Sequence, residues 1–210
     1  MSAIGAVAFA SVAFAPQAQA QFEGTITMHM NSQRGTGEDM VWSIKNNRAR
    51  MDINSGRAVM YMLRQGDKAT IVMPQQKMYV EQSIPATLAQ ATKNGSVKTG
   101  DVEVTGKKET IAGYECEHVI TTDEQGGKYD VCLAKGLGTF MMPSNPMGRG
   151  ASDNGPMAAI MRKLDGATFP LRVQKVGSAA PELEVTKIDK KSLDDSMFSV
   201  PTDFKKFDMG

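Results

Sequence analysis

Apolar and polar side chains alternate along the first half of the chain, and this period of two is typical of half-buried β-strands. Within residues 22–30 the apolar side chains fall on even-numbered positions. The alternation recurs in five further segments, at residues 40–44, 49–53, 59–63, 70–73 and 78–80. In the 59–63 segment apolar residues stand at every position, so we expect that strand to be covered on both faces. Turn-forming residues separate the segments, and the pattern predicts an antiparallel meander of six strands.

The second half of the chain predicts more strands and two short helices. The helices are expected over residues 83–94, with Ser83 as the cap and Pro85 in the first turn, and over residues 156–164. Further strands are predicted near residues 102–104, 114–120, 128–133, 169–176 and 183–188, with a long loop at 134–156 and an extended segment at 198–201. The predicted fold class is mainly β (α+β). We expect a curved antiparallel sheet, or half-barrel, wrapped around one or two short helices, with a mouth and a cavity.

The first twenty residues carry no Asp, Glu, Lys or Arg. An apolar run rich in alanine ends at Pro16, and Ala18-Gln19-Ala20 supplies the small-x-small pattern that a signal peptidase needs. We therefore predict a signal peptide over residues 1–20, cleaved between Ala20 and Gln21, and one domain over residues 21–210 in the periplasm or outside the cell. The run is shorter than the about 20 apolar residues of a membrane span. No stable transmembrane span is expected, and an uncleaved anchor is the alternative.

Composition narrows the classes of function. The formal net charge is +1 and the basic residues are scattered, which gives no electrostatic footprint for nucleic acid. The chain has two histidines and none of the common nucleotide, serine-hydrolase or zinc-protease motifs. We expect no catalytic residue, no cofactor and no enzymatic activity. The 16 methionines suit either a loosely specified core or an adaptable cavity for an apolar ligand.

Two cysteines flank the predicted hairpin, and a single bridge suits an oxidising compartment. A turn centred on Glu124 sets Cys116 directly opposite Cys132, on one face of the sheet. The same register sets His118 opposite Asp130. We predict a disulfide, with two buried free thiols as the alternative. The His–Asp pair is interpreted as an ordinary cross-strand pair rather than a catalytic dyad, because no nucleophile is placed beside it.

Several short stretches together resemble a family of secreted bacterial proteins, domain of unknown function 4412. They are Phe22-Glu23-Gly24 and residues 74–79, 111–116, 169–172, 185–188 and 197–204. The most specific are the Ala-Gly-Tyr-x-Cys stretch at 112–116 and the Phe-x-Val-Pro stretch at 198–201, and neither is catalytic. Cys132 departs from the family pattern, which has a large aromatic there. The architecture also resembles that of the periplasmic lipoprotein carriers LolA and LolB, whose curved sheet wraps helices and holds acyl chains, although fold does not imply function.

The leading hypothesis is a non-enzymatic periplasmic binding protein of this carrier-like fold. Its ligand is expected to be an acyl chain or another apolar molecule, held by the inward face of the sheet and by a loop lid at residues 137–147. Because residues 59–63 are all apolar, the pattern leaves open whether Met60 or its neighbours face inward. The predicted ligand-binding residues are Trp42, Met51, Met60, Ile71, Met78, Phe140 and Met141.

Two alternatives belong to other classes. One is a module for protein–protein interaction in the cell envelope, with the convex face or the edge of the sheet as the contact surface. The other is a copper(I)-binding protein that uses the thioethers of Met141, Met142 and Met147. The Met28-His29-Met30 triplet is excluded as one site, because adjacent side chains of a strand point to opposite faces. No metal site is assigned.

Overall fold

Twelve β-strands and two 3₁₀ helices make up the part of the chain that the structure describes. This computed structural model describes residues 22–31, 37–54, 59–66, 68–83, 102–123, 126–138, 140 and 168–207. The strands are β1 (Gly24–Met30), β2 (Glu38–Lys45), β3 (Arg48–Asn54), β4 (Val59–Gln65), β5 (Lys68–Met73), β6 (Met78–Ser83), β7 (Val102–Ile111), β8 (Tyr114–Thr122), β9 (Lys128–Lys135), β10 (Thr168–Lys175), β11 (Leu183–Lys190) and β12 (Lys205–Lys206). The 3₁₀ helices are Pro74–Gln76 and Asp195–Phe198.

All twelve strands belong to one sheet, in the order β12-β6-β5-β4-β3-β2-β1-β11-β10-β9-β8-β7. Strands β1–β6 form the predicted meander of consecutive antiparallel neighbours. Strands β7–β11 form a second meander, and β11 pairs with β1 to join the two. Among these described strands, the exception to antiparallel pairing is β12, which lies parallel to β6.

The sheet is strongly curved, because side chains from distant strands meet. The ring centroids of Trp42 on β2 and Phe169 on β10 lie 6.0 Å apart, and those of Phe22 and Tyr114 lie 6.4 Å apart. Three strand intervals separate β2 from β10, which amounts to about 14 Å in a flat sheet. Buried residues from both meanders therefore form one continuous core. The predicted class, a mainly β protein built on a curved antiparallel sheet, is confirmed.

The C-terminal segment covers the outer face of β3–β6. Tyr61, Leu63 and Val72 form a second apolar cluster there, against which Val200 and Phe204 pack. On the other face of β4, Met62 belongs to the main core. The middle of β4, residues 61–63, is thus covered on both faces, as the apolar run predicts, whereas Val59 at its start is exposed.

Three further expectations concern the helices and the C-terminal segment. Ser83 is the last residue of β6, whose pairing with β5 extends to Lys68. Its predicted role as a helix cap depends on residues outside the described ranges. The extended segment predicted at 198–201 begins one residue later, because Phe198 ends a 3₁₀ helix and Ser199 is extended. A short strand follows at Lys205–Lys206. The predicted helices at 84–94 and 156–164 and most of the 134–156 loop lie outside the described residues. Within the described ranges, no helix has the length and apolar character needed to cross a membrane.

A small ionic cluster ties the C-terminal segment to β2, to β3 and to the residue that precedes β1. Lys45 Nζ lies 3.3 Å from Glu23 Oε1 and 3.4 Å from Asp195 Oδ1, and Arg48 binds the same Asp195 oxygen. The Leu193 backbone N–H, followed by Lys45, lowers the pKa of Glu23. Arg48 and Lys45 lower the pKa of Asp195. Desolvation lowers the pKa of Lys45, but the two carboxylates outweigh it and leave the pKa raised.

We expect acid to weaken this attachment. A carboxylate whose pKa is lowered in the folded protein adds stability above its unfolded pKa and loses that contribution as the pH falls through the folded value. For Glu23 the loss begins below the reference value of 4.5. The thermal stability of the parent should therefore fall more steeply than that of Glu23→Gln between about pH 5 and 3. Glu38→Gln, at an exposed position on β2, should follow the parent, and a Glu23→Gln curve parallel to the parent would contradict this account.

Candidate functional site

The inner face of β1–β6 carries an unbroken row of apolar side chains, which we call the apolar row. Strand register places one member on each strand, and adjacent members are direct cross-strand partners. The members are Ile26, Trp42, Met51, Met62, Ile71 and Val80, and all of them are buried. A side-chain period of two on every strand produces this continuity.

The structure brings five of the predicted ligand-binding residues to this one face. Trp42, Met51 and Ile71 are members of the apolar row and are buried. Met60 and Met78 each lie two residues from a member on the same strand, so they share its face, and both are half-buried. The register thus decides which residues of the 59–63 segment face inward. Met60 and Met62 face inward, whereas Tyr61 faces outward.

Three aromatic rings meet at the centre of the core. The ring of Phe140 lies 5.0 Å from that of Trp42, and Phe169 stands edge-on to both at 6.0 and 5.2 Å. Phe140 was predicted as part of a lid over the apolar ligand, and it covers Trp42 directly. Trp42 Nε1 is buried and has no hydrogen-bond partner among the described residues. A buried N–H without an acceptor is destabilising and rare in folded proteins.

The β8–β9 hairpin contains the predicted disulfide between Cys116 and Cys132. The predicted register is wrong by two residues, because Cys116 pairs with Ala134 and Cys132 pairs with His118. The turn therefore centres one residue later than Glu124. A shift of two keeps every side chain on its face, so the cysteines remain diagonal neighbours with Cα atoms 5.3 Å apart.

The same diagonal relation preserves the predicted His118–Asp130 contact. His118 Nδ1 donates a hydrogen bond to Asp130 Oδ1 over 2.6 Å, and Nε2 lies 3.2 Å from Glu109 Oε2. Carboxylates thus occupy both nitrogens of a buried imidazole. Arg172 Nη2 binds the other oxygen of Glu109, and Arg172 Nε lies 3.4 Å from Glu184 Oε1, an ion-pair distance beyond a well-formed hydrogen bond.

Sequence reasoning missed Glu109, although a signal for it was present. Ala112 and Gly113 form a two-residue turn with positive φ values of 49° and 83°. Such a turn fixes the register of its hairpin, and this one sets Glu109 opposite Cys116. Arg172 gave no comparable signal, because a bulge in β10 shifts its pairing with β9.

The remaining predicted residues divide between the two faces and the undescribed segments. Met28 is buried in the main core, whereas His29 on the opposite face bonds Asp39 over 2.7 Å, so the triplet does not converge on one ion. Met141, Met142, Met147 and the Ala20–Gln21 cleavage point lie outside the described residues.

The geometry defines a class: mainly β proteins in which one curved sheet encloses an aromatic and thioether core and a disulfide joins two neighbouring strands. Within that class, the chain belongs to the family described as Domain of unknown function (DUF4412), whose family profile matches residues 22–204. The resemblance drawn from its short stretches is therefore confirmed. No curated protein matches the chain.

Solved structures with similar chain traces include three of low identity. PNGF-II is 16% identical with a TM-score of 0.49; the match covers 90% of this chain, which spans 31% of that one. An uncharacterized conserved protein from Thermus thermophilus is 8% identical with a TM-score of 0.49, covering 90% of this chain and 91% of that one. A LolA superfamily protein from Nitrosomonas europaea is 14% identical with a TM-score of 0.33, covering 87% and 91%. At TM-scores below 0.5, these likenesses carry no conclusion about ligand or activity.

Loss of the disulfide should lower the free energy of unfolding by about 3 kcal/mol, the value for closing a loop of roughly 15 residues. The sequence separation of the two cysteines is 16. The Cys116→Ser/Cys132→Ser variant should show this deficit in urea unfolding. Reductant should bring the parent to the same level and leave the variant unchanged. Labelling of the unreduced, unfolded parent by a thiol reagent would contradict the bridge.

Proposed function

We propose that this protein is an exported, non-enzymatic binding protein that holds an acyl chain or another apolar ligand against the apolar row. The proposal rests chiefly on Trp42. Its indole N–H is buried within the apolar row, and no described residue accepts a hydrogen bond from it. A ligand that carries one acceptor, such as a fatty-acid carboxylate or an ester carbonyl, would satisfy this donor while its chain lies along the row.

The composition of the face supports a ligand of variable shape. Met51 and Met62 follow Trp42 along the apolar row, and Met60 and Met78 continue the thioether surface toward the less buried end of their strands. Thioether side chains are flexible and polarisable, and they adapt to irregular partners. Phe140 occupies the position over Trp42, and we propose that ligand binding displaces this ring.

Export and the lack of enzymatic activity have their own support. The apolar N-terminal run and its Ala18-Gln19-Ala20 motif support a signal peptide. A disulfide persists in oxidising compartments such as the periplasm. Both nitrogens of His118 are held by carboxylates, so neither is free to act as a general base toward a substrate.

Isothermal titration of the purified protein with laurate tests the proposal. The parent should bind laurate, and Trp42→Phe should bind it at least about 10-fold more weakly, as expected for loss of a hydrogen bond to a charged group. Tyr61→Phe is the matched control, because it also removes one polar aromatic atom but lies in the outer cluster. Its affinity should equal that of the parent.

Two results would contradict the proposal. Absence of laurate binding by the folded parent would exclude an acyl ligand on this face and favour the interaction module. Equal affinities of the parent and Trp42→Phe would exclude the role given to the indole N–H. Circular dichroism of each variant establishes that the comparison is made between folded proteins.

A further inference from the structure

Three strands bring different metal-ligating groups to one face of the sheet beside the disulfide. In register, Glu109 of β7 pairs with Cys116 of β8, and His118 of β8 pairs with Cys132 of β9. The ligand atoms of Glu109, His118 and Cys132 all lie within 4.8 Å of one another. This cluster lies on β7–β9, whereas the apolar row lies on β1–β6, and the proposed ligand site does not use it.

We propose that reduction of the Cys116–Cys132 disulfide converts this cluster into a zinc site. The four ligands are the two thiolates, His118 Nε2 and one oxygen of Glu109. A dithiol reductant supplies two electrons and two protons: its own sulfurs become a disulfide, the Cys116–Cys132 bond breaks, and two thiols form. Zn²⁺ then displaces the two thiol protons and binds two sulfurs, one nitrogen and one oxygen, all of which are ordinary zinc ligands.

The spacing of the nitrogen and oxygen donors fits a tetrahedral ion. With zinc–nitrogen and zinc–sulfur distances near 2.0 and 2.3 Å, ligand atoms lie about 3.3–3.8 Å from each other. His118 Nε2 and Glu109 Oε2 are already 3.2 Å apart. The two sulfurs are covalently joined in the oxidised protein and separate to contact distance once the bond breaks. Reduction therefore moves the sulfurs toward the required spacing rather than away from it.

The surrounding groups orient the site as in known zinc proteins. Asp130 accepts the hydrogen bond from His118 Nδ1, which directs Nε2 toward Glu109. A carboxylate behind a metal-bound histidine fixes the ring and typically changes metal affinity 10–100-fold. Arg172 holds the second oxygen of Glu109 in place. The half-buried Glu109 side chain, 32% exposed, gives the ion a route from solvent to the buried imidazole.

The sharpest test uses Co²⁺ as a spectroscopic substitute for Zn²⁺ on the full chain, after reduction and removal of the reductant under nitrogen. The reduced parent should develop a thiolate-to-cobalt charge-transfer band and the visible bands of tetrahedral Co²⁺, saturating at one equivalent, and Zn²⁺ should abolish both. The oxidised protein should show neither band. Asp130→Asn should weaken binding about 10–100-fold.

Matched variants separate this site from adventitious binding. His118→Gln and Glu109→Gln should each weaken Co²⁺ binding at least about 10-fold. His29→Gln changes the other histidine of the chain and should bind like the parent, as should Glu115→Gln, whose carboxylate pairs with Lys108. Absence of thiolate bands in the reduced parent, or parent-like binding by His118→Gln, would overturn the proposal.

A second measurement keeps the proposal testable if the protein loses its structure on reduction. If the reduced chain unfolds, Zn²⁺ should restore its β-sheet circular dichroism signal, because metal binding to a site formed by folding stabilises the fold. His118→Gln should not be restored under the same conditions. A reduced parent that stays unfolded with Zn²⁺ would overturn the proposal. Laurate titration of the oxidised protein is independent of either result.

Discussion

The curvature of one sheet onto itself is the constraint on which the rest of the structure depends. A single antiparallel sheet must bury one face, and the described part of the chain contains just two short 3₁₀ helices to cover it. Curvature lets the sheet cover part of this face with its own strands: β11 pairs with β1, and Phe169 lies against Trp42. Burial of that aromatic centre links the two meanders, so they share one core.

The two halves of the sheet carry different chemistry. Along β1–β6 the inward positions of the apolar row form a continuous surface, and the indole N–H of Trp42 places a polar atom within it. On β7–β10 the face that bears Cys132 also carries charged partners, and His118 is buried between two carboxylates. Ligand binding and redox chemistry are therefore proposed for separate places on one sheet.

Local patterns predicted the strands well, because each strand of the first meander has an apolar inner face. The shared face of Trp42, Met51 and Ile71 followed from period-two alternation, which any correct meander preserves. The hairpin was harder, since loop length sets register. The disulfide was still predicted correctly, because an error of two residues keeps Cys116 and Cys132 on the same face as diagonal neighbours. Contacts across the curved sheet, such as that between Trp42 and Phe169, depend on the pairing of β1 with β11, and no local pattern contains it.

Native mass spectrometry of protein purified from the bacterial periplasm tests the central claim most directly, with one sample intact and one extracted with organic solvent. The account predicts a chain that begins at Gln21 and carries a reproducible apolar molecule, which solvent extraction removes and identifies. Repeated preparations of bare protein, with one mass before and after extraction, would contradict a ligand-holding inner face.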